Sequence, residues 1–196
     1  MRTLTHAVAG LLAVSSLIAC SGTAVAASKR IAPNPAQSVN VRLSDLPHGF
    51  VAGVNGIENH DDDSAAHKAA AYADDADYYW KNASGQHSVE VSTTIEYYST
   101  PAEAVKYMPA NALAAATAGL TKMPAGLHAK VQACSIGEVC IYTSELFLTS
   151  PVGAAQYRSK NYLVSVMVCE TGTSLPVPGV EAFAYSLAGK VAARIR

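Results

Sequence analysis

The chain lacks an excess of charge of either sign. It has 14 Lys+Arg against 15 Asp+Glu and a net charge of −1, and only 15% of its residues are charged. Nucleic-acid binding needs a concentrated basic face, and none is present. No apolar run reaches the roughly 20 residues that a membrane-spanning helix requires. There is no G-x-S-x-G elbow, phosphate loop, G-x-G-x-x-G or H-E-x-x-H, so the common motif-borne hydrolase, nucleotide and zinc chemistries have no sequence support. Disorder is also excluded, because half the residues are hydrophobic and can bury enough surface to offset chain entropy. No cofactor is expected.

What is present begins with an export pattern over residues 1–26. Arg2 supplies a thin positive start, and Ala7–Ala19 is a stretch of small and apolar residues too short to span a bilayer. Leu17-Ile18-Ala19-Cys20 has the order of a lipobox, in which Cys20 is acylated and becomes the first mature residue. Ala24-Val25-Ala26 instead suits ordinary cleavage before Ala27. The lipobox sits directly at the end of the apolar stretch, which favours a lipid-anchored product over a freely secreted or periplasmic one. Residues 27–38, with two Pro and no apolar periodicity, read as a tether. Residues 39–196 suit a single domain.

Within that domain, residues 62–75 have helical spacing with an Asp cap, which makes Asp74, Asp75 and Asp77 a solvated helix end. Val89, Val91, Thr93, Ile95 and Tyr97 alternate with polar residues and predict a one-sided strand over 88–98. A hairpin before it pairs Trp80 with Val89 and Tyr78 with Val91, both aromatics facing inward. Thr100-Pro101-Ala102-Glu103 is a capping box, opening a helix to about Ala118 with a kink at Pro109. Strands follow over 129–134, 139–143, 154–158 and 161–169. Val180, Phe183, Ala184, Leu187 and Val191 then mark a last amphipathic helix. The order predicts an α+β domain: one antiparallel sheet covered on one face by helices.

Candidate sites are sparse. His60, Asp61, Asp63 and His67 carry divalent-metal chemistry, although a helix start also accounts for the acids through its dipole. Tyr79 and Tyr98 fall on the outward side of their strands and are candidate ligand contacts. Asn82-Ala83-Ser84 matches a glycosylation acceptor, which a bacterial lipobox makes a chance match. Three cysteines remain in an exported, disulfide-permissive domain. Cys134 and Cys140 flank a tight turn and form the favoured bridge, because Cys140 and Cys169 lie at opposite ends of the sheet. Cys169 is then a buried free thiol.

Several short motifs carry a family resemblance. They are Asp45-Leu46-Pro47-x-Gly49-Phe50, Pro101-Ala102-Glu103-Ala104 after a strand, Ile136-Gly137-Glu138, and Tyr157-Arg158-x-Lys160-Asn161-Tyr162. Over residues 41–195 the chain resembles small bacterial envelope lipoproteins and extracytoplasmic sensor-like domains of PsbP-like or mycobacterial sensor type. The family's usual form has Gly-Asp at Gly137-Glu138, and Gly where Lys160 stands. The resemblance implies an α+β fold, a non-catalytic role and no catalytic residue. The expected function is therefore a monomeric, envelope-anchored binding or sensor module for an unknown small ligand or envelope protein. The alternatives are a metal-dependent enzyme at His60–His67 and a structural protein acting through contacts alone.

Overall fold

The computed structural model describes residues 34–53, 65–81, 87–120, 128–147, 150–170 and 179–195. Cys20, His60, Asp61, Asp63 and the Asn82 acceptor lie outside these residues. Seven strands make one antiparallel sheet: β1 (Phe50–Ala52), β2 (Tyr72–Lys81), β3 (His87–Tyr97), β4 (His128–Ala133), β5 (Val139–Phe147), β6 (Ser150–Ser159) and β7 (Tyr162–Glu170). Their spatial order is β1-β2-β3-β7-β6-β5-β4. The chain builds one half outward-in, crosses to the far edge, and returns so that β7 closes against β3. Helices α1 (Pro35–Val39), α2 (Ala65–Ala69), α3 (Pro101–Tyr107), α4 (Ala112–Leu120) and α5 (Val180–Ala192) pack on it, with a 3-10 turn at Leu43–Asp45.

Period-two alternation decides which side chains meet. Val89, Val91 and Ile95 of β3, Val164, Val166 and Val168 of β7, and Ala155 and Tyr157 of β6 are buried in one core. Onto them α5 lays Val180, Phe183, Ala184, Leu187 and Val191, the stripe its sequence spacing predicts, together with Ala188. Each large member of that stripe contributes about 1.5–3 kcal/mol through burial. Gly153 permits this docking: a Cβ there would meet the carbonyl oxygen of Val180 at 2.8 Å.

The expected α+β class and antiparallel sheet are present, and helices pack on the second face as well. There Met108, Ala112 and Ile141 form a smaller core with Leu113, Val131, Val139 and Leu163. Ile141 and Cys140 are neighbours on β5, so their two cores lie on opposite sides of the sheet. Arg158 reaches this second face and donates from Nη1 to the Met108 carbonyl at 2.9 Å, satisfying the end of α3.

The hairpin register is as expected: Trp80 stands opposite Val89 and Tyr78 opposite Val91. Tyr78 is buried, and Trp80 is half-buried against the same core. The Thr100–Glu103 capping box is formed in both directions. Four expectations are corrected. Among the described residues the 62–75 helix is only the five residues of α2, and Asp74, Asp75 and Asp77 belong to β2. Ten residue pairs with β3 outweigh a weak Ala-rich helical preference there. The 100–118 helix breaks fully at Pro109 rather than kinking, giving α3 and α4. The helix expected to end at about Ala118 continues through Gly119 to Leu120. Part of the tether is folded: Asn34 caps α1, which buries Ala36 and Val39.

Two hairpin turns carry positive φ. Gly137, at +65°, lets β4 return as β5 with Glu138 donating its amide to the Arg158 carbonyl at 2.8 Å. Lys160, at +53°, is the first residue of the two-residue β6–β7 hairpin. That left-handed position disfavours a β-carbon and suits glycine best.

Candidate functional site

Three polar regions emerge from this scaffold. The first is the buried seam that holds the start of the domain. Asn40 donates to Asp74 Oδ2 at 2.7 Å and accepts from the Thr93 hydroxyl at 2.7 Å. Arg194, beyond α5, donates to the Asn40 carbonyl at 2.7 Å and pairs with Asp45 at 2.5 Å. Burial pushes the Asp74 carboxyl above the ordinary range, and the Asn40 bond only partly opposes it. Burial also acts upward on Asp45, but Arg194, the Arg42 amide and Lys190 outweigh it and hold that carboxyl low. This seam has every mark of a structural tie.

The second region lies on the opposite face of β2 and β3. Asp75, Asp77 and Glu96 are buried there, where a solvated helix end was expected. Ser92 donates to Asp77 Oδ1 at 2.6 Å across the strand pair. His67 Nδ1 stands 3.7 Å from Glu96 Oε1. His67 is thus the one member of the expected metal cluster among the described residues, and it faces Glu96. No group of three metal-ligating side chains occurs among the described residues. Tyr98, expected as an exposed ligand contact, is fully buried. It stacks on Tyr107 with ring centroids 5.4 Å apart and donates to Glu96 Oε2 or the Ala66 carbonyl, each at 2.9 Å. The residue follows β3 and sits beneath α2 and α3, which strand alternation alone does not reveal. Tyr79 is half-buried, opposite Val51 of β1.

The third region is a cleft of about 580 Å³ beside the β4–β5 hairpin, lined by Gln132, Ala133, Cys134, Ser135, Tyr142, Glu181, Ala182 and Tyr185. It exists because α5 covers β6 and β7 and leaves the sheet uncovered toward β5 and β4. The Cys134–Cys140 disulfide, with Cα atoms 5.0 Å apart, fixes the hairpin wall. Ser135 Oγ and the Tyr185 hydroxyl are hydrogen-bonded at 3.0 Å, joining that wall to the helix. Tyr142 and Tyr185 meet edge to face, centroids 6.4 Å apart and planes at 89°. Tyr142 is 6% exposed, and its hydroxyl makes no well-formed hydrogen bond among the described residues. Burial, then the Glu181 charge and a loose contact with that carboxylate, raise the phenol far above its ordinary pKa. The site therefore joins a buried neutral hydroxyl, the exposed ring of Tyr185 and an exposed carboxylate at one concavity.

Sequence reasoning did not single out this cleft. Tyr142 looks like one more alternating strand residue. The one available signal was Tyr185, a large aromatic off the apolar stripe of α5 and 37% exposed. The bridge between Cys134 and Cys140 was legible from spacing; Cys169 stands outside that bridge and is half-buried near the end of β7, where full burial was expected.

No protein-family model matches the chain, and no curated protein matches it in sequence. Its fold is similar to that of the extracellular domain of PknH from Mycobacterium tuberculosis, with a TM-score of 0.56, 8% identity, and coverage of 85% of this chain and 97% of that one. At that identity the similarity is one of fold. No helix among the described residues is long and apolar enough to cross a membrane.

Proposed function

We propose that this chain is an extracytoplasmic binding or sensor module of the bacterial cell envelope, acting by ligand capture rather than by catalysis. The observation that carries the reading is the cleft between α5 and the β4–β5 hairpin. It combines aromatic walls with a few convergent polar groups, the usual make-up of a small-molecule site. The export pattern, the disulfide and the fold shared with an extracellular domain support the location. Cys20 is the proposed point of lipid attachment, and several acyl chains on it would give a stable anchor.

A fragment panel titrated into the mature protein and followed by NMR tests the site. Shift changes are expected to cluster on Gln132–Ser135, Tyr142 and Glu181–Tyr185. Changes confined to Asp75, Asp77 and Glu96 would move the site to the other face and overturn this assignment. For the anchor, Cys20→Ser is expected to move the protein from the membrane fraction to the soluble one. A mature N-terminus at Ala27 without acyl chains would reject lipidation.

A further inference from the structure

We infer that the cleft takes an organic cation bearing N–H donors, a small primary amine rather than an anion or a neutral ligand. The inference rests on the cleft being the ligand site. Four observations converge on it. Glu181 places a carboxylate on the lining, in the first turn of α5, and no basic side chain is among the lining residues. Lys130, which shares its side of β4 with Gln132, is exposed and outside the lining. An anionic ligand would meet this carboxylate unopposed.

The exposed Tyr185 ring, held edge to face against Tyr142, supplies the negative π surface that attracts an ammonium group. Finally, the Tyr142 hydroxyl oxygen is buried at the cleft without a well-formed partner. An R–NH3+ group has three donors. One can reach Glu181 and another Tyr142 Oη, so a single ligand group satisfies the buried acceptor and neutralises the carboxylate together. A quaternary ammonium has the charge and no donor, and leaves Tyr142 unsatisfied. A neutral alcohol can bond Tyr142 but leaves the charge of Glu181 unanswered.

The test titrates mature protein with four probes of similar size: n-butylammonium, tetramethylammonium, n-butanol and butyrate. Binding is read from the resonances of Tyr142, Glu181 and Tyr185. Butylammonium is expected to bind most tightly and butyrate not at all. Glu181→Gln is expected to lower butylammonium affinity by about tenfold, the scale of one charge-assisted contact. Tyr142→Phe, which keeps the ring and removes the acceptor, is expected to lower it several-fold and to erase the advantage over tetramethylammonium. Both changes leave the fold intact, because Glu181 is exposed and the Tyr142 hydroxyl contributes no well-formed bond.

Equal affinity for butanol, or unchanged affinity in Glu181→Gln, overturns the cation inference while leaving the cleft as the ligand site. If none of the four probes nor any fragment shifts these resonances, the cleft reading itself falls. An Nα-acetyl-lysine methylamide probe that binds far more tightly than butylammonium would assign the site to a lysine-bearing peptide, and the small-amine inference would fail.

Discussion

At the scale of single residues, Asp74 shows how burial converts into pH dependence. Its folded pKa lies above the unfolded value, with desolvation as the main cause. The folded state therefore holds that proton more tightly, and stability falls as pH rises from the unfolded carboxyl pKa of about 3.9 through the shifted one. Asp74→Asn keeps an oxygen to accept from Asn40 and removes the buried charge. It is expected to raise the denaturation midpoint at pH 7 and leave it little changed at pH 3; equal effects at both would contradict this account. The two positive-φ hairpin turns make opposite predictions. A Cβ on Gly137 would stand 2.4 Å from the Arg158 carbonyl oxygen, so Gly137→Ala is expected to cost at least about 2 kcal/mol in urea unfolding. Lys160→Gly relieves a left-handed lysine and is expected to stabilise by about 0.5–1 kcal/mol.

At the scale of elements, the β4–β5 hairpin and α1 are each held by one specific device. The disulfide closes a loop of sequence separation 6, for which chain entropy gives about 2–2.5 kcal/mol. A Cys134→Ser, Cys140→Ser double variant is expected to lose that much and to broaden NMR signals from Gln132–Ser135. A loss confined to stability, with the cleft signals unchanged, would show that the bridge does not shape the wall. Helix α1 has five residues, too few to be stable alone. It persists because Ala36 and Val39 are buried and Arg194 donates to the carbonyls of Val39 and Asn40. Beginning the chain at residue 40 is therefore expected to lower the melting temperature by several degrees, where removal of a true tether would change nothing. Differential scanning calorimetry decides between them.

At the scale of the whole molecule, the sheet joins two meanders through a single strand pair. β3 and β7 pair over nine residues, and Val89, Val91, Val164, Val166 and Val168 bury one continuous core across that junction. Neither meander can keep its core without the other. Unfolding is expected to be one cooperative transition, with Trp80 fluorescence on one half and the Tyr142 and Tyr185 signals on the other changing together. Two separated midpoints would show that the halves are independent. The same architecture explains the cleft, because one helix of 13 residues cannot cover seven strands.

Local chemistry was readable from the chain itself. Alternation placed β3, the Thr100–Glu103 box started α3, the stripe of α5 gave its buried face, and six-residue spacing joined Cys134 to Cys140. Each depends on neighbours close in sequence, so each is written locally. The acids of β2, the burial of Tyr98, the folded start at Ala36 and the Tyr142–Tyr185–Glu181 cleft are decided by partners far along the chain. Asp74 sits in a strand because Asn40, itself held by the Thr93 hydroxyl, satisfies it there. Tyr142 lines a cleft because α5 ends its cover of the sheet one strand short of it. Side chains 43 residues apart share that cavity only once the sheet order is complete, since their proximity comes from the packing of layers and no local preference encodes it.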